Sequence, residues 1–313
     1  MNRQLQVRTD GAAKAGSTET SVPAAAGGVE DVEKPDGLSH EGNSTGESAS
    51  SASVPPISPL LELQDLAFGY AAGTPVIDGL HLSLAPGEIV SVVGPSGCGK
   101  SSLLRLISGL SRPWRGRITT AYRRPGQHGI SMVFQDDTLL PWLRVRDNVA
   151  LHHRFNGTRR RKDTHEQVNN LLGMVGLSDK AHVYPSQLSG GMRRRVAVLT
   201  ALAANPELLL LDEPFSALDE PTRVSVHRDL YRLVKDTGAS VVLVTHDLGE
   251  AISLSDRVVM LSWPPSTVVE DLAIPFGHDR DVAGLRSDPQ FLELYAHLWA
   301  GMEGQLSSHG SAS

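Results

Sequence analysis

The sequence predicts an α/β fold, a parallel sheet with crossover helices, preceded by an antiparallel β layer and interrupted by a helical region. Three observations carry the prediction. Apolar runs of buried-strand type at 88–93, 208–212 and 240–245 are separated by stretches of helical spacing, the arrangement of parallel strands joined by crossovers. Between the first such strand and its helix lies Gly94-Pro95-Ser96-Gly97-Cys98-Gly99-Lys100-Ser101, which fits G-x-x-x-x-G-K-[ST]. Ahead of it, residues 61–84 alternate or run apolar between turn signals, as strands of an antiparallel layer do.

Residues 1–57 are rich in Ala, Gly, Ser, Thr and Glu, and the first aromatic of the chain is Phe68. Such a segment buries too little apolar surface to offset its ordering entropy, so it reads as a disordered tail. It holds eight Asp/Glu against four Lys/Arg, which accounts for −4 of the formal net charge of −6. The remainder is close to neutral and lacks the basic footprint of a nucleic-acid binder. No apolar run approaches the ~18 residues of a membrane helix, and Met1-Asn2-Arg3-Gln4-Leu5-Gln6 has no secretory core behind it. The single Cys98 forms no internal disulfide, which suits a reducing cytosol. The chain divides into a tail, 1–57, a main folded domain, 58–280, and a C-terminal helical extension and tail, 281–313.

Taken in order, Leu61 to Leu66 alternates, Phe68-Gly69-Tyr70 leads into a turn, and 76–80 and 81–84 read as two further strands closed by Ala85-Pro86-Gly87. The strand at 88–93 then feeds the glycine-rich turn and a helix beginning at Ser101. A helix N-terminus behind such a turn is an anion cradle, because its N–H groups and its dipole face the ligand. Gly97 and Gly99 allow close backbone approach, Lys100 suits the β- and γ-phosphates, and Ser101 suits Mg²⁺. A chance match in a chain of this length is on the order of one in a hundred. Cys98 reads as a small spacer, not a nucleophile.

From about 136 to 190 the pattern is helical, with one helix starting at 147–151 and another over 163–172. Arg159-Arg160-Arg161-Lys162 between them is a solvated charge run, and His152-His153 lacks metal-ligand partners at useful spacing. After the strand at 208–212, Asp212 sits where α/β sheets bind ligands and suits Mg²⁺, held through water. Glu213 beside it suits polarising a water for attack on a γ-phosphorus. A helix over 223–235 and the strand at 240–245 follow. Phe291, Leu294, Tyr295, Leu298, Trp299 and Met302 recur at helical spacing, as a core stripe does.

Leu188-Ser189-Gly190-Gly191 ahead of another helical run makes a second capped helix N-terminus and a second anion site. One nucleotide hardly needs two cradles from one chain. A symmetric dimer, in which each second cradle serves the partner's phosphate loop, accounts for both.

The succession of the phosphate loop, Gln135, Leu188-Ser189-Gly190-Gly191, Asp212-Glu213, Ser216-Ala217-Leu218-Asp219 and His246 resembles the ATP-binding subunit of an ABC transporter, from about residue 60 to 290. The resemblance implies a P-loop NTPase core with a parallel sheet, an antiparallel β subdomain and a helical signature subdomain, and a homodimer that sandwiches two ATP molecules. It implies that the loop from Gly94 through Ser101 and Ser102 binds the phosphates, that Tyr70 stacks on adenine and that Gln135 senses Mg²⁺ and the γ-phosphate. His246 then contacts the γ-phosphate, Ser189, Gly190 and Gly191 bind it across the dimer, and Asp219 couples the two sites. An aromatic face suits a base, and an imidazole suits developing negative charge.

Val133-Phe134-Gln135-Asp136-Asp137-Thr138-Leu139-Leu140-Pro141-Trp142, Thr245 to Ala251, Ile274-Pro275-Phe276 and Arg280-Asp281 are similar to the nitrate, sulfonate, taurine and pyrimidine-precursor importer ATPases. That likeness implies membrane permease subunits as partners, a periplasmic or lipoprotein substrate-binding protein acting with them, and a peripheral position on the cytoplasmic face of the membrane. It places Leu139 to Leu143 near the groove that receives the permease, while core packing is the other reading of the same residues. The chain departs from the pattern at Arg194, where Gln is usual, at Ser102, where Thr is frequent, and at Trp263, where Arg often stands. Two rival classes explain less. DNA-repair relatives split the fold with a long coiled coil, but only 87 residues lie between Lys100 and Leu188. Translation factors carry two such domains, and a P-loop kinase leaves the Leu188–Gly191 signature and His246 unexplained.

Overall fold

Period-two alternation along the central strands gives each of them two cores to fill. In the computed structural model, which describes residues 58–122, 128–136, 138–156, 161–216 and 218–310, three wholly buried strands lie side by side: β3 (Ile89–Val93), β6 (Pro206–Asp212) and β7 (Ser240–Val244). Ile89, Leu209, Leu211, Val241 and Leu243 point to one core. Val90, Val92, Leu208, Leu210, Val242 and Val244 point to the other. A strand covered on both faces needs apolar residues at every position, which is why these segments read as continuous runs.

The main sheet has the order β5-β6-β7-β3-β8-β9, where β5 is His128–Val133, β8 Arg257–Leu261 and β9 Val268–Ala273. All neighbours pair in parallel except β8 and β9, which are antiparallel at the edge. The first core is closed by helices α2 (Val145–Val149), α4 (Arg161–Met174), α5 (Gly190–Leu202) and α6 (Glu220–Thr237). The second is closed by α1 (Lys100–Ile107) and by an antiparallel layer of β1 (Leu61–Phe68), β2 (Ile77–Leu84) and β4 (Arg115–Thr120), in the order β2-β1-β4. A smaller cluster joins α7 (Leu248–Leu254) to α8 (Pro289–Gly310) through Ile252, Phe291 and Leu298.

Several boundaries differ from the sequence reading. The two strands expected at 76–80 and 81–84 are one, β2, because left-handed Gly79 and the opposing Asp65 (φ 49°) absorb irregular register without breaking the pairing. The helix expected to start at 147–151 is two short ones, α2, which already begins at Val145, and α3 (Leu151–Asn156). The helix expected over 223–235 is longer at both ends, because the Asp219 side chain accepts from the Thr222 N–H at its start and left-handed Gly238 stops it. The C-terminal stripe is only half core. Phe291 and Leu298 are buried, but Tyr295 and Trp299 stack on one another at the surface, because α8 lies at the sheet edge and is covered on one side. The tail expected to be disordered, together with Asp137, Arg159, Arg160 and Ala217, lies outside the described residues.

Candidate active site

The phosphate loop leaves β3 and enters α1 with three glycines at positive φ, Gly94, Gly97 and Gly99. Two are also constrained by space. A Cβ on Gly94 would lie 2.9 Å from the Cys98 sulfur and the Leu261 carbonyl, and one on Gly99 would lie 2.9 Å from Val76. Position 97 is sterically open and needs glycine only for its conformation. Pro95 and Ser96 form the outer turn, and the Pro95 carbonyl accepts from the Cys98 N–H. Lys100 is buried, its Nζ donating to the carbonyls of Gly94 (2.9 Å) and Pro95 (3.0 Å). The ammonium is thereby held inside the curl of the loop. Cys98 is fully buried and burial pushes its thiol pKa up, so it is a packing residue and not a poised thiolate.

At the end of β6 the carboxylates diverge in environment. Asp212 is buried and accepts from the Ser101 hydroxyl at 2.8 Å. Burial raises its pKa above the ordinary carboxylate value, the Ser101 hydrogen bond opposes this, and the neighbouring Glu213 charge adds to the rise. A hydroxyl and a carboxylate oxygen in contact are a hard-oxygen pair of the kind Mg²⁺ takes. Glu213 is the first residue out of the strand and has φ 42°, a left-handed conformation that costs about 1–2 kcal/mol in a non-glycine residue. Its N–H still bonds to the Val244 carbonyl. The turn brings the Glu213 Oε2 within 3.4 Å of the Gln135 Nε2, which donates to it, and within 3.2 Å of the His246 Nδ1. Three residues from three loops thus meet on one carboxylate oxygen.

His246 is fixed from both sides. The Thr245 hydroxyl donates to the buried Glu250 carboxylate (2.5 Å) and accepts from the Asp247 N–H (3.0 Å). Asp247 caps α7 through the Glu250 N–H and pairs with Arg223 of α6 at 2.8 Å. The sequence reading missed this frame, although Asp247 followed three residues later by Glu250 is a capping-box spacing.

At the far edge of the loop, Tyr70 stands 68% exposed with its ring edge-to-face on Phe68 (5.2 Å) and its hydroxyl 2.8 Å from the Ser102 oxygen. The Ser189-Gly190-Gly191 turn forms a separate feature. Ser189 caps α5, accepting from the Met192 N–H at 3.3 Å. A Cβ on Gly191 would lie 2.4 Å from the Thr222 methyl, so the α5 start is packed directly on the α6 start that Asp219 caps. Hydrogen bonds from Thr222 hold the Asp219 pKa down. Gly190 shares a cleft of about 220 Å³ with Gln135, Arg193, Arg194, Glu213 and Ser216. Among the described residues, no hydrogen bond or ion pair links Ser189, Gly190 or Gly191 to the phosphate loop.

The segment from Leu139 to Leu143 is part core and part surface. Leu139 packs against the first core, while Trp142 is 69% exposed. Its shape is set by Asn148, a buried residue that sequence reasoning passed over. The Asn148 Oδ1 accepts from the Leu140 N–H, and its Nδ2 faces the carbonyls of Leu140, Leu143 and Arg144.

The ABC transporter family matches residues 77–216. The taurine import ATP-binding protein TauB of Escherichia coli is 43% identical over 248 residues, spanning 76% of this chain and 95% of that protein. The chain belongs to the ABC transporter family. The nitrate import ATP-binding protein NrtD of Synechococcus elongatus is 41% identical over 225 residues, spanning 70% of this chain and 81% of its own. Among solved structures, a dimeric ATP-binding cassette in a post-hydrolysis state, bound to ADP and Pi, matches at 30% identity with a TM-score of 0.59, covering 69% of this chain and all of that one. As a member of the family the chain is an ATP-binding protein and an ABC-type ATPase. No helix among its described residues is long and apolar enough to cross a membrane.

Proposed function

We propose that this chain is the ATP-hydrolysing subunit that energises a membrane importer of small anions, in the class of nitrate, sulfonates and taurine. The observation that carries the reading is the meeting of Gln135, Glu213 and His246 beside a phosphate loop whose Ser101 is bonded to Asp212. Matches at 41–43% identity to nitrate and taurine import subunits, each covered over most of its length, supply the transport class.

In this reading residues 58–280 are the motor and 281–313 its C-terminal extension. Lys100 and the N–H groups from Gly94 to Ser102 hold the phosphates, and Tyr70 stacks on the adenine. Ser101 and Asp212 would hold Mg²⁺ with Gln135 close by, and the ion would supply charge neutralisation on the phosphates. Glu213 takes a proton from the attacking water, and Gln135 and His246 orient that carboxylate and meet charge developing on the γ-phosphoryl oxygens. Ser189, Gly190 and Gly191 serve the ATP held by a second copy, with Asp219 joining the two sites. A dimer bridged in this way closes on ATP and opens on hydrolysis, the two states a permease needs to be driven between. The chain then works peripherally on the cytoplasmic face of the membrane, with Trp142 and its neighbours turned towards permease subunits that a substrate-binding protein loads.

The test is co-purification of the tagged full chain from membranes of its own cell. Recovery of a multi-helix permease and a substrate-binding protein is expected, and ligands of the latter identify the anion. Recovery with ribosomes or DNA instead would overturn the transport reading in favour of a soluble ABC ATPase.

A further inference from the structure

Position 194 is where the chain departs from its family's usual signature, and the structure gives the departure a purpose. Arg194 lies on the second turn of α5, 4% exposed. Its Nη1 donates to the Phe134 carbonyl at 2.8 Å and reaches the Gln135 carbonyl at 3.3 Å. Those carbonyls belong to the stretch where the chain leaves β5, one and two residues past Val133, the last residue paired with β6. Phe134, Gln135 and Asp136 are all exposed on their other side. Sheet hydrogen bonding has ended there, and a buried guanidinium takes over. A charged donor on a backbone carbonyl is roughly twice as strong as a neutral one, and Nη1 carries two hydrogens, so one nitrogen serves two successive carbonyls.

We propose that Arg194 is a positioning residue for hydrolysis. It holds the Gln135 loop to the signature helix so that the Gln135 amide stays on the Glu213 carboxylate, 3.4 Å away. The inference rests on the reading of Gln135 as the residue that aligns Glu213 with the γ-phosphate. It adds a mechanical consequence, since α5 begins at the Ser189-Gly190-Gly191 turn. A displacement of that turn by ATP on a second copy is carried by Arg194 to Gln135 as one motion, within a single helix and a single hydrogen-bonded contact.

The experiment is a double-mutant cycle on the full chain, reading ATP turnover and KM for ATP. Arg194→Met, of similar length but without donors, is expected to lower kcat about tenfold, the scale of one lost charge-assisted hydrogen bond, with KM within about twofold because the phosphate loop is untouched. In a Gln135→Ala background the same substitution is expected to cost nothing further. Arg194→Gln, which keeps an amide donor for the carbonyls, is expected to retain at least about half of the turnover. Full activity in Arg194→Met, losses that add to those of Gln135→Ala, or a folded Arg194→Gln as slow as Arg194→Met would each overturn the proposal. A Gln135→Ala variant as fast as the parent would instead sink the reading of Gln135 itself.

Discussion

The stretch that carries Trp142 hangs on one buried amide, which makes Asn148→Ala the most informative stability test in the molecule. The Asn148 Oδ1 takes the Leu140 N–H at 2.8 Å, and its Nδ2 lies 3.2, 3.1 and 3.2 Å from the carbonyls of Leu140, Leu143 and Arg144. An amide nitrogen has two hydrogens, so three full bonds are made in all. At about 1 kcal/mol net for each, truncation costs ~3 kcal/mol, which for a chain of this size lowers the melting temperature by roughly 6–12 °C. Asn148→Asp is the sharper variant. It keeps the shape and the Leu140 bond but sets a carboxylate against three carbonyls, so at neutral pH it is expected to be at least as unstable as the alanine variant. Denaturant unfolding of both variants, with basal ATP turnover as a control on the nucleotide site, makes the measurement. Because the segment, not the motor, is loosened, turnover by the isolated chain is expected to hold at temperatures where the variant is folded, while stimulation by the permease is lost. An alanine variant that costs less than ~1 kcal/mol, or an aspartate variant as stable as the parent at neutral pH, would refute the argument that this side chain shapes the segment.

Three further outcomes follow from the site. Glu213→Gln is expected to bind ATP normally, to lose at least about a hundredfold in turnover and to accumulate as an ATP-bound dimer on gel filtration; unimpaired hydrolysis would remove Glu213 as the base. Asp212 is raised in pKa by burial, so the native chain keeps that proton to a higher pH than the unfolded chain does, and this group weakens the fold as pH rises from the ordinary carboxylate range through the folded value. Asp212→Asn, which can still accept from Ser101, should therefore melt above the parent at neutral pH while losing Mg²⁺-dependent turnover, and calorimetry showing a lower melting point would contradict the burial argument. Gly191→Ala puts a Cβ 2.4 Å from the Thr222 methyl, an overpacking expected to cost about 1–3 kcal/mol. Thr222→Ser, which removes only that methyl, should restore most of the loss, and a failure to rescue would place the strain elsewhere.

What could be read in advance was what is local in sequence. The phosphate loop is one strand, one turn and one helix start in continuous chain, and its glycines, lysine and serine announce themselves. Asp212-Glu213 was legible because a buried parallel strand must be apolar throughout and the acids interrupt it. The left-handed turn at Glu213 was not, since nothing in Leu211-Asp212-Glu213-Pro214 specifies a positive φ before a proline, where the helical region is already disfavoured. Strands β4 and β9 were missed because they are partly exposed edges rich in Arg, Thr, Glu and Asp, and their pairing rather than their composition makes them strands. Arg194 was visible only as an oddity, because the carbonyls it serves lie about sixty residues earlier in the chain.

The convergence of Gln135, Glu213 and His246 has a cause simpler than any motif. Strands β5, β6 and β7 are consecutive neighbours in the sheet and run in the same direction, with Val133 beside Leu211 and Asp212 beside Val244. Gln135 lies two residues beyond the end of β5, Glu213 one beyond β6, and His246 two beyond β7. Neighbouring strands are about 4.8 Å apart, so residues just past three successive strand ends fall within roughly 10 Å, the span of a triphosphate tail and its attacking water. The next strand, β3, ends in the phosphate loop. The proposed nucleotide machinery is therefore a row along the C-terminal edge of one sheet, ordered by strand adjacency and indifferent to the 78 and 33 residues that separate its members in sequence. Register is what the row depends on. A substitution that leaves the β5–β6–β7 pairing intact can alter a brace such as the Arg194 contact and retain the row, whereas a one-residue slip of β5 would turn Gln135 to the other face and remove it from Glu213.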